Sequence, residues 1–149
     1  MTKQMISIST NHPYLRFANI KVVRTLRQVY RGEGRGISAL AVILTHNQFI
    51  RKINREFLNH NTATDVIAFP LEERGDVESE IYVNLDAARK QAKRYGVTFT
   101  DEVKRLLIHG TLHLLGYNDH SPKEKLAMTK QEDFYLILAD RKRKGVATP

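Results

Sequence analysis

The sequence predicts an α+β fold, a single domain over residues 1–149 built as one mixed sheet of about four strands packed with about five helices. Three observations carry that prediction. Short apolar or alternating runs recur along the chain at strand length. Longer stretches between them repeat their apolar residues every three or four positions, as helices with one buried face do. The resulting order, β-α-β-α-β-β-α-α-α, suits one mixed sheet with helices laid on it.

Each element has its own signal. Residues Met5-Ile6-Ser7-Ile8-Ser9 alternate and read as a first strand, closed off by Pro13. A helix is expected from Leu15 to Arg31, stopped by Gly32, Gly34 and Gly36. Ile37 to Leu44 is apolar and partly β-branched, the pattern of a buried central strand. Thr45 is the expected cap of a helix from His46 to Asn59, with Phe49, Ile50, Ile53 and Phe57 on its inner face. Asn59 to Thr64 is a polar loop, and Val66 to Phe69 a short strand ended by Pro70. Leu71 to Ser79 is acidic and loop-like, and Ile81-Tyr82-Val83 is another strand. Leu85 to Tyr95 is helical and ends at Gly96. Thr100 is the expected N-cap of the next helix, and Pro122 opens a last one that runs to Arg143.

A chain of 149 residues is long enough to bury a real core. It has no cysteine, which excludes disulfides and thiolate metal sites and fits a reducing compartment. Met1 to Met5 lacks the apolar core of a signal peptide, and the longest apolar stretch is too short to span a bilayer. A cytoplasmic protein without a membrane partner is therefore expected. The chain has 24 basic and 16 acidic residues, a formal net charge of +8. A basic excess of that size favours a polyanionic partner, nucleic acid first. Lys21, Arg24, Arg27 (or Gln28) and Arg31 fall at helical spacing, opposite Leu15, Val22, Leu26 and Val29, and form one basic face. A second cluster, Arg141-Lys142-Arg143-Lys144, reads equally well as a solvated terminus.

The chemistry concentrates in twelve residues that hold His109, His113 and His120. His109 and His113 stand at i and i+4, so on a helix they share a face and reach one metal ion. Gly116 can end that helix in a left-handed turn, and the chain then offers a third ligand from the loop. Alone, two histidines at this spacing would be polar positions on a mostly apolar helix. The glycine and the third imidazole turn the balance to a metal site. Val103, Leu106, Leu107, Leu112, Leu114 and Leu115 would bury this zincin-like metal helix and leave its histidines on a cleft floor. Three protein ligands leave one tetrahedral position open, the mark of a catalytic rather than a structural zinc. One zinc ion per chain is the expected cofactor.

The peptidase signature H-E-x-x-H has a glutamate as general base, but here Gly110 follows His109. Without that base a phosphodiester is the better substrate, since its transition state uses the positive charge this chain has in excess. Two residues compete for the third ligand. Asp119 lies ten residues after His109, where the peptidase pattern has its third histidine, and His120 lies one further on. His120 is favoured because three neutral imidazoles are a common catalytic set, with Asp119 then orienting one of them. The reverse assignment stays open. Asp65 reads as a turn carboxylate, and Glu102 as an acid favoured near a helix N-terminus.

His109-Gly110-Thr111-Leu112-His113-Leu114-Leu115-Gly116-Tyr117, followed by Asp119-His120, resembles the signature of the YbeY family of bacterial rRNA maturation factors. Ile53-Asn54-Arg55-Glu56-Phe57 and Thr64-Asp65-Val66-Ile67-Ala68-Phe69-Pro70 resemble that family's L-N-x-x-[YF] and T-D-V-L-S-F-P segments, and Ile81-Tyr82-Val83-Asn84 its D-I-x-I-S strand. The resemblance implies a single-strand-specific, zinc-dependent endoribonuclease that acts in maturation of the 3′ end of 16S rRNA and in ribosome quality control. Its partners would be rRNA precursor and the small ribosomal subunit, and its zinc ligands His109, His113 and His120. The sequence departs from the family pattern in three places. Asn118 looks inserted before Asp119. Ser79-Glu80-Ile81 stands where Gly-Asp-Ile is usual. Leu58 stands where the family typically has an arginine thought to serve RNA cleavage, so Arg55 or His60 would have to compensate. Two alternatives remain: a non-catalytic ribosome- or RNA-binding factor with a retained metal site, and a zincin-type metallopeptidase.

Overall fold

The computed structural model describes residues 5–71 and 78–143, with side chains described to residue 138. Most of the expected acidic loop, the reading of the first four residues, and the side chains of Arg141, Lys142, Arg143 and Lys144 lie outside the described residues. Four strands form one sheet: β1 (Met5–Thr10), β2 (Ala39–Thr45), β3 (Val66–Phe69) and β4 (Ser79–Asn84). Their order is β1-β2-β4-β3. β2 pairs in parallel with β1 and with β4, and β3 closes the sheet antiparallel to β4. The predicted α+β class and the central place of the second strand are observed.

The sheet separates two apolar layers because successive side chains of a strand point to opposite faces. Leu40, Val42, Leu44, Ile81 and Val83 face one layer. There they meet α1 (Asn19–Gly32), α3 (Leu85–Tyr95) and α4 (Phe99–Leu114). Ile43, Ile67, Phe69 and Tyr82 face the other layer, which is closed by Phe49, Ile50 and Ile53 of α2 (Asn47–Leu58). The last helix, α5 (Pro122–Arg143), packs Met128 and Tyr135 against Val29 of α1 and Ile108 and Leu112 of α4. No described helix is long and apolar enough to cross a membrane.

Three helix starts differ from those the sequence predicts, and each difference has a local cause. The first helix begins at Asn19 rather than Leu15. Before it, the buried His12 accepts the backbone N–H groups of Tyr14 and Leu15 on Nδ1 and holds that stretch in a turn. His46, not Thr45, caps α2, accepting the Phe49 N–H on Nδ1. Thr45 is the last residue of β2, in register with Asn84. Thr98, not Thr100, caps α4, accepting the Asp101 N–H at 3.0 Å. Pro122 does open α5. Ser121 Oγ accepts the Glu124 N–H, and Glu124 Oε1 accepts the Ser121 N–H, a reciprocal cap.

α4 presses closely on the sheet at one point. A Cβ on Gly110 would stand 3.1 Å from Ile81 Cγ2 and 3.2 Å from Val66 Cγ2. The glycine therefore seats the helix against β3 and β4.

Candidate metal centre

The end of α4 places the site. Leu115 closes the helix, and Gly116 follows at φ 104°, a conformation that favours glycine. Tyr117 N–H bonds back to Leu112 O at 3.0 Å, and Gly116 N–H to His113 O at 3.1 Å. This pair of bonds is a Schellman motif. It turns the chain so that residues 117–120 return towards the histidines.

Both ring orientations are fixed from behind. His109 Nδ1 lies 2.6 Å from Glu132 Oε2, and His113 Nδ1 lies 3.0 Å from Tyr117 O. A carboxylate and a carbonyl can only accept, so each neutral ring carries its proton on Nδ1. Each Nε2 then offers a lone pair, the arrangement that second-sphere partners give to metal-binding histidines. The two Nε2 atoms stand 3.1 Å apart. Asp119 Oδ2 lies 3.5 Å from His109 Nε2 and 3.4 Å from His113 Nε2. Two donors bound to one tetrahedral zinc at ordinary bond lengths stand about 3.3 Å apart. The observed triangle thus matches one face of such a coordination shell, and its N, N, O donor set suits zinc among several ions.

Electrostatics agree. Burial works to lower the pKa of His109, but the Glu132 hydrogen bond and charge outweigh it, helped by Asp119 and Asp65, and hold it above the ordinary imidazole value. The site therefore attracts positive charge.

His109, His113 and Asp119 are the group of described residues whose ligand atoms lie within 4.8 Å of one another. His120, the favoured third ligand, is not in that group. It lines the adjoining cleft, near enough to Glu124 to help the Ser121 backbone N–H hold that carboxyl below its usual range. The cleft, of about 540 Å³, is lined by Asn54, His60, Thr62, Thr64, Tyr117 and Asn118 among others, with Leu58 in its wall. His60 is thus in place to serve the cleft, whereas Arg55 lies on the exposed face of α2 and is not among the lining residues. Asp65 accepts from Gln91 Nε2 at 3.2 Å. Glu102 is buried in the first turn of α4, and burial raises its carboxyl pKa, opposed by Arg105.

Two residues essential to this geometry escape a local reading of the sequence. Glu132 orients His109 from 23 residues away and is itself held by Arg105 Nη1 at 3.1 Å. Glu33 binds the metal loop: Tyr117 donates to its Oε1 at 2.8 Å, and Gln131 and Tyr135 donate to its Oε2. Glu132 has a sequence signal, a charge on the apolar Met128–Tyr135 stripe of α5. Glu33 has none, because it looks like any acid in a glycine-rich turn.

A family model described as Endoribonuclease YbeY matches residues 9–139 of the chain. Among curated relatives, the endoribonuclease YbeY of Chlorobaculum parvum is 44% identical over 115 residues, which covers 77% of this chain and 82% of that protein. That of Chlorobium chlorochromatii is 40% identical over 120 residues, covering 80% and 77%. The solution structure of TM1509 from Thermotoga maritima matches with a TM-score of 0.59 at 29% identity, covering 89% of this chain and 87% of that one.

Proposed function

The chain belongs to the YbeY family of endoribonucleases, and on that premise we propose that it cleaves single-stranded RNA at a metal ion held by His109, His113 and Asp119. The observation that carries the reading is the triangle of two Nε2 atoms and one Oδ2, with edges of 3.1, 3.4 and 3.5 Å. Zinc is the proposed ion. When bound, it supplies Lewis acidity, acidifying water and drawing charge from a phosphoryl oxygen. The chain's own residues do the positioning. Glu132 and the Tyr117 carbonyl hold both imidazoles with Nε2 forward. Asn54 holds the loop above the cleft by donating to Thr62 O at 2.9 Å. The cleft is the size of an unpaired nucleotide rather than a helix, and His60 and His120 in its walls can donate hydrogen bonds to a phosphate.

The finer proposals rest on the family. The substrate is rRNA precursor at the 3′ end of 16S rRNA, the partner is the small ribosomal subunit, the wider role is ribosome quality control, and the compartment is the cytoplasm. Leu58 in the cleft wall favours the second reading, a ribosome- or RNA-binding factor that keeps the metal without cutting. One experiment separates them. Cleavage of a single-stranded RNA is measured alongside metal content for wild type, His113→Ala, Asp119→Ala and His120→Ala. Wild type cuts, chelator stops it, and His113→Ala and Asp119→Ala lose both metal and activity, while His120→Ala retains about one ion per chain. Activity surviving chelator and His113→Ala would sink the nuclease reading. Metal retained by Asp119→Ala but lost by His120→Ala would return the third ligand to the histidine.

A further inference from the structure

The basic face predicted on the first helix is absorbed by none of the chemistry above. Arg24, Arg27 and Arg31 are exposed on α1, opposite the fully buried Val22, Leu26 and Val29. The chain then turns and adds a fourth arginine. Arg27, Arg31 and Arg35 line one recess with Tyr30 and Ile37, and no carboxylate is among its lining residues. Among the described residues no acid pairs with Arg24, Arg27, Arg31 or Arg35. From Asn19 to Ile37 the single acidic residue is Glu33, and its carboxylate faces the other way, bound by Tyr117, Gln131 and Tyr135. Three guanidinium groups around one recess repel one another, a cost that a polyanion removes. Their forked donors suit phosphate oxygens.

We propose that this face, centred on Arg27, Arg31 and Arg35, is a docking site for the phosphate backbone of RNA, separate from the metal centre. It deepens the nuclease reading and rests on it for the kind of polyanion. The recess and the cleft have no lining residue in common, but the turn that carries Arg35 is tied to the cleft wall through the Glu33–Tyr117 bond. On this proposal an RNA long enough to run beyond the cleft reaches both sites, and a short one only the cleft.

The test uses the full chain with Arg27, Arg31 and Arg35 all changed to Gln, and a second version with all three changed to Lys. Thermal melting checks that both fold. Binding of RNAs of about four and about sixteen nucleotides is followed by fluorescence anisotropy over a salt series. We expect the Gln version to bind the long RNA about tenfold more weakly, with a log–log salt slope shallower by about 2, three phosphate contacts at about 0.7 each. Its cleavage of the short RNA stays at the wild-type rate, and the Lys version recovers most of the long-RNA affinity. A Gln version that binds the long RNA as wild type does overturns the inference. Loss of polyglutamate binding with RNA binding intact also overturns it and assigns the face to an acidic protein. Wild type that cuts no RNA, yet loses long-RNA binding in the Gln version, overturns the nuclease reading alone.

Discussion

Glu132 is a charge that the fold has enclosed. It is 7% exposed, with one oxygen on His109 and the other on the Arg105 guanidinium. Burying a carboxylate is costly unless its oxygens have partners, and both of these do. It keeps the His109 proton on Nδ1 and so keeps Nε2 available. Glu132→Gln preserves size but removes the charge that fixes the tautomer. Metal affinity should fall about 10–100-fold, read by competition with a chromophoric chelator, with the melting temperature checked in parallel. At this scale the shared face of His109 and His113 was legible from their spacing, and its reading as a metal site came only with Gly116 and the loop beyond it. Which of Asp119 and His120 lies nearer that pair was not legible, because spacing along a loop does not say which of two neighbouring side chains turns inward. Asp119 Oδ2 is the atom that stands within 3.5 Å of both Nε2 atoms, while His120 lines the adjoining cleft.

Asp86 links three elements. Its Oδ1 is 2.8 Å from His12 Nε2 in the turn after β1, and its Oδ2 accepts the Asn47 N–H at the start of α2, while it sits itself in the first turn of α3. Burial alone would raise its pKa, but the His12 bond, the Asn47 N–H and the nearby Arg89 bring it below the ordinary value. A carboxyl whose folded pKa is depressed stabilises the fold above its unfolded pKa, and that contribution is lost as pH falls through the folded value. Asp86→Ala should therefore cost about 1–3 kcal/mol at neutral pH. In urea titrations the gap between variant and wild type should narrow as pH drops below about 4. A gap that is constant with pH would assign the effect to packing. Periodicity revealed all the elements that histidines and caps did not disturb. The starts of α1, α2 and α4 were misread because a side chain can cap from one position as well as its neighbour, and tertiary contacts choose. Thr45 was needed by the strand, and His12 held the turn before α1.

The whole molecule is tied together at Glu33. Its carboxylate gathers Tyr117 of the metal loop with Gln131 and Tyr135 of α5 at the end of α1. Burial first, then the hydrogen bond to Glu33 and its charge, push the Tyr135 hydroxyl well above its ordinary pKa, so it stays protonated and donating. Glu33→Ala strands that hydroxyl, at a cost of about 1–3 kcal/mol in denaturant unfolding. It also frees the Tyr117 ring, and chelator should strip the metal faster than from wild type. Unchanged stripping with lowered stability would limit Glu33 to a structural role. The layout of strands and helices could be read from the order of elements, but this knot could not, since its partners lie 84 to 102 residues from Glu33. Gly110 bears on how such a protein can change over generations. With a Cβ there 3.1 Å from Ile81 Cγ2 and 3.2 Å from Val66 Cγ2, a glutamate would make those side chains or the helix give by a few tenths of an ångström. A single-base change can turn a glycine codon into a glutamate codon, so what stands between Gly110 and the peptidase base is the packing of the helix on Ile81 and Val66.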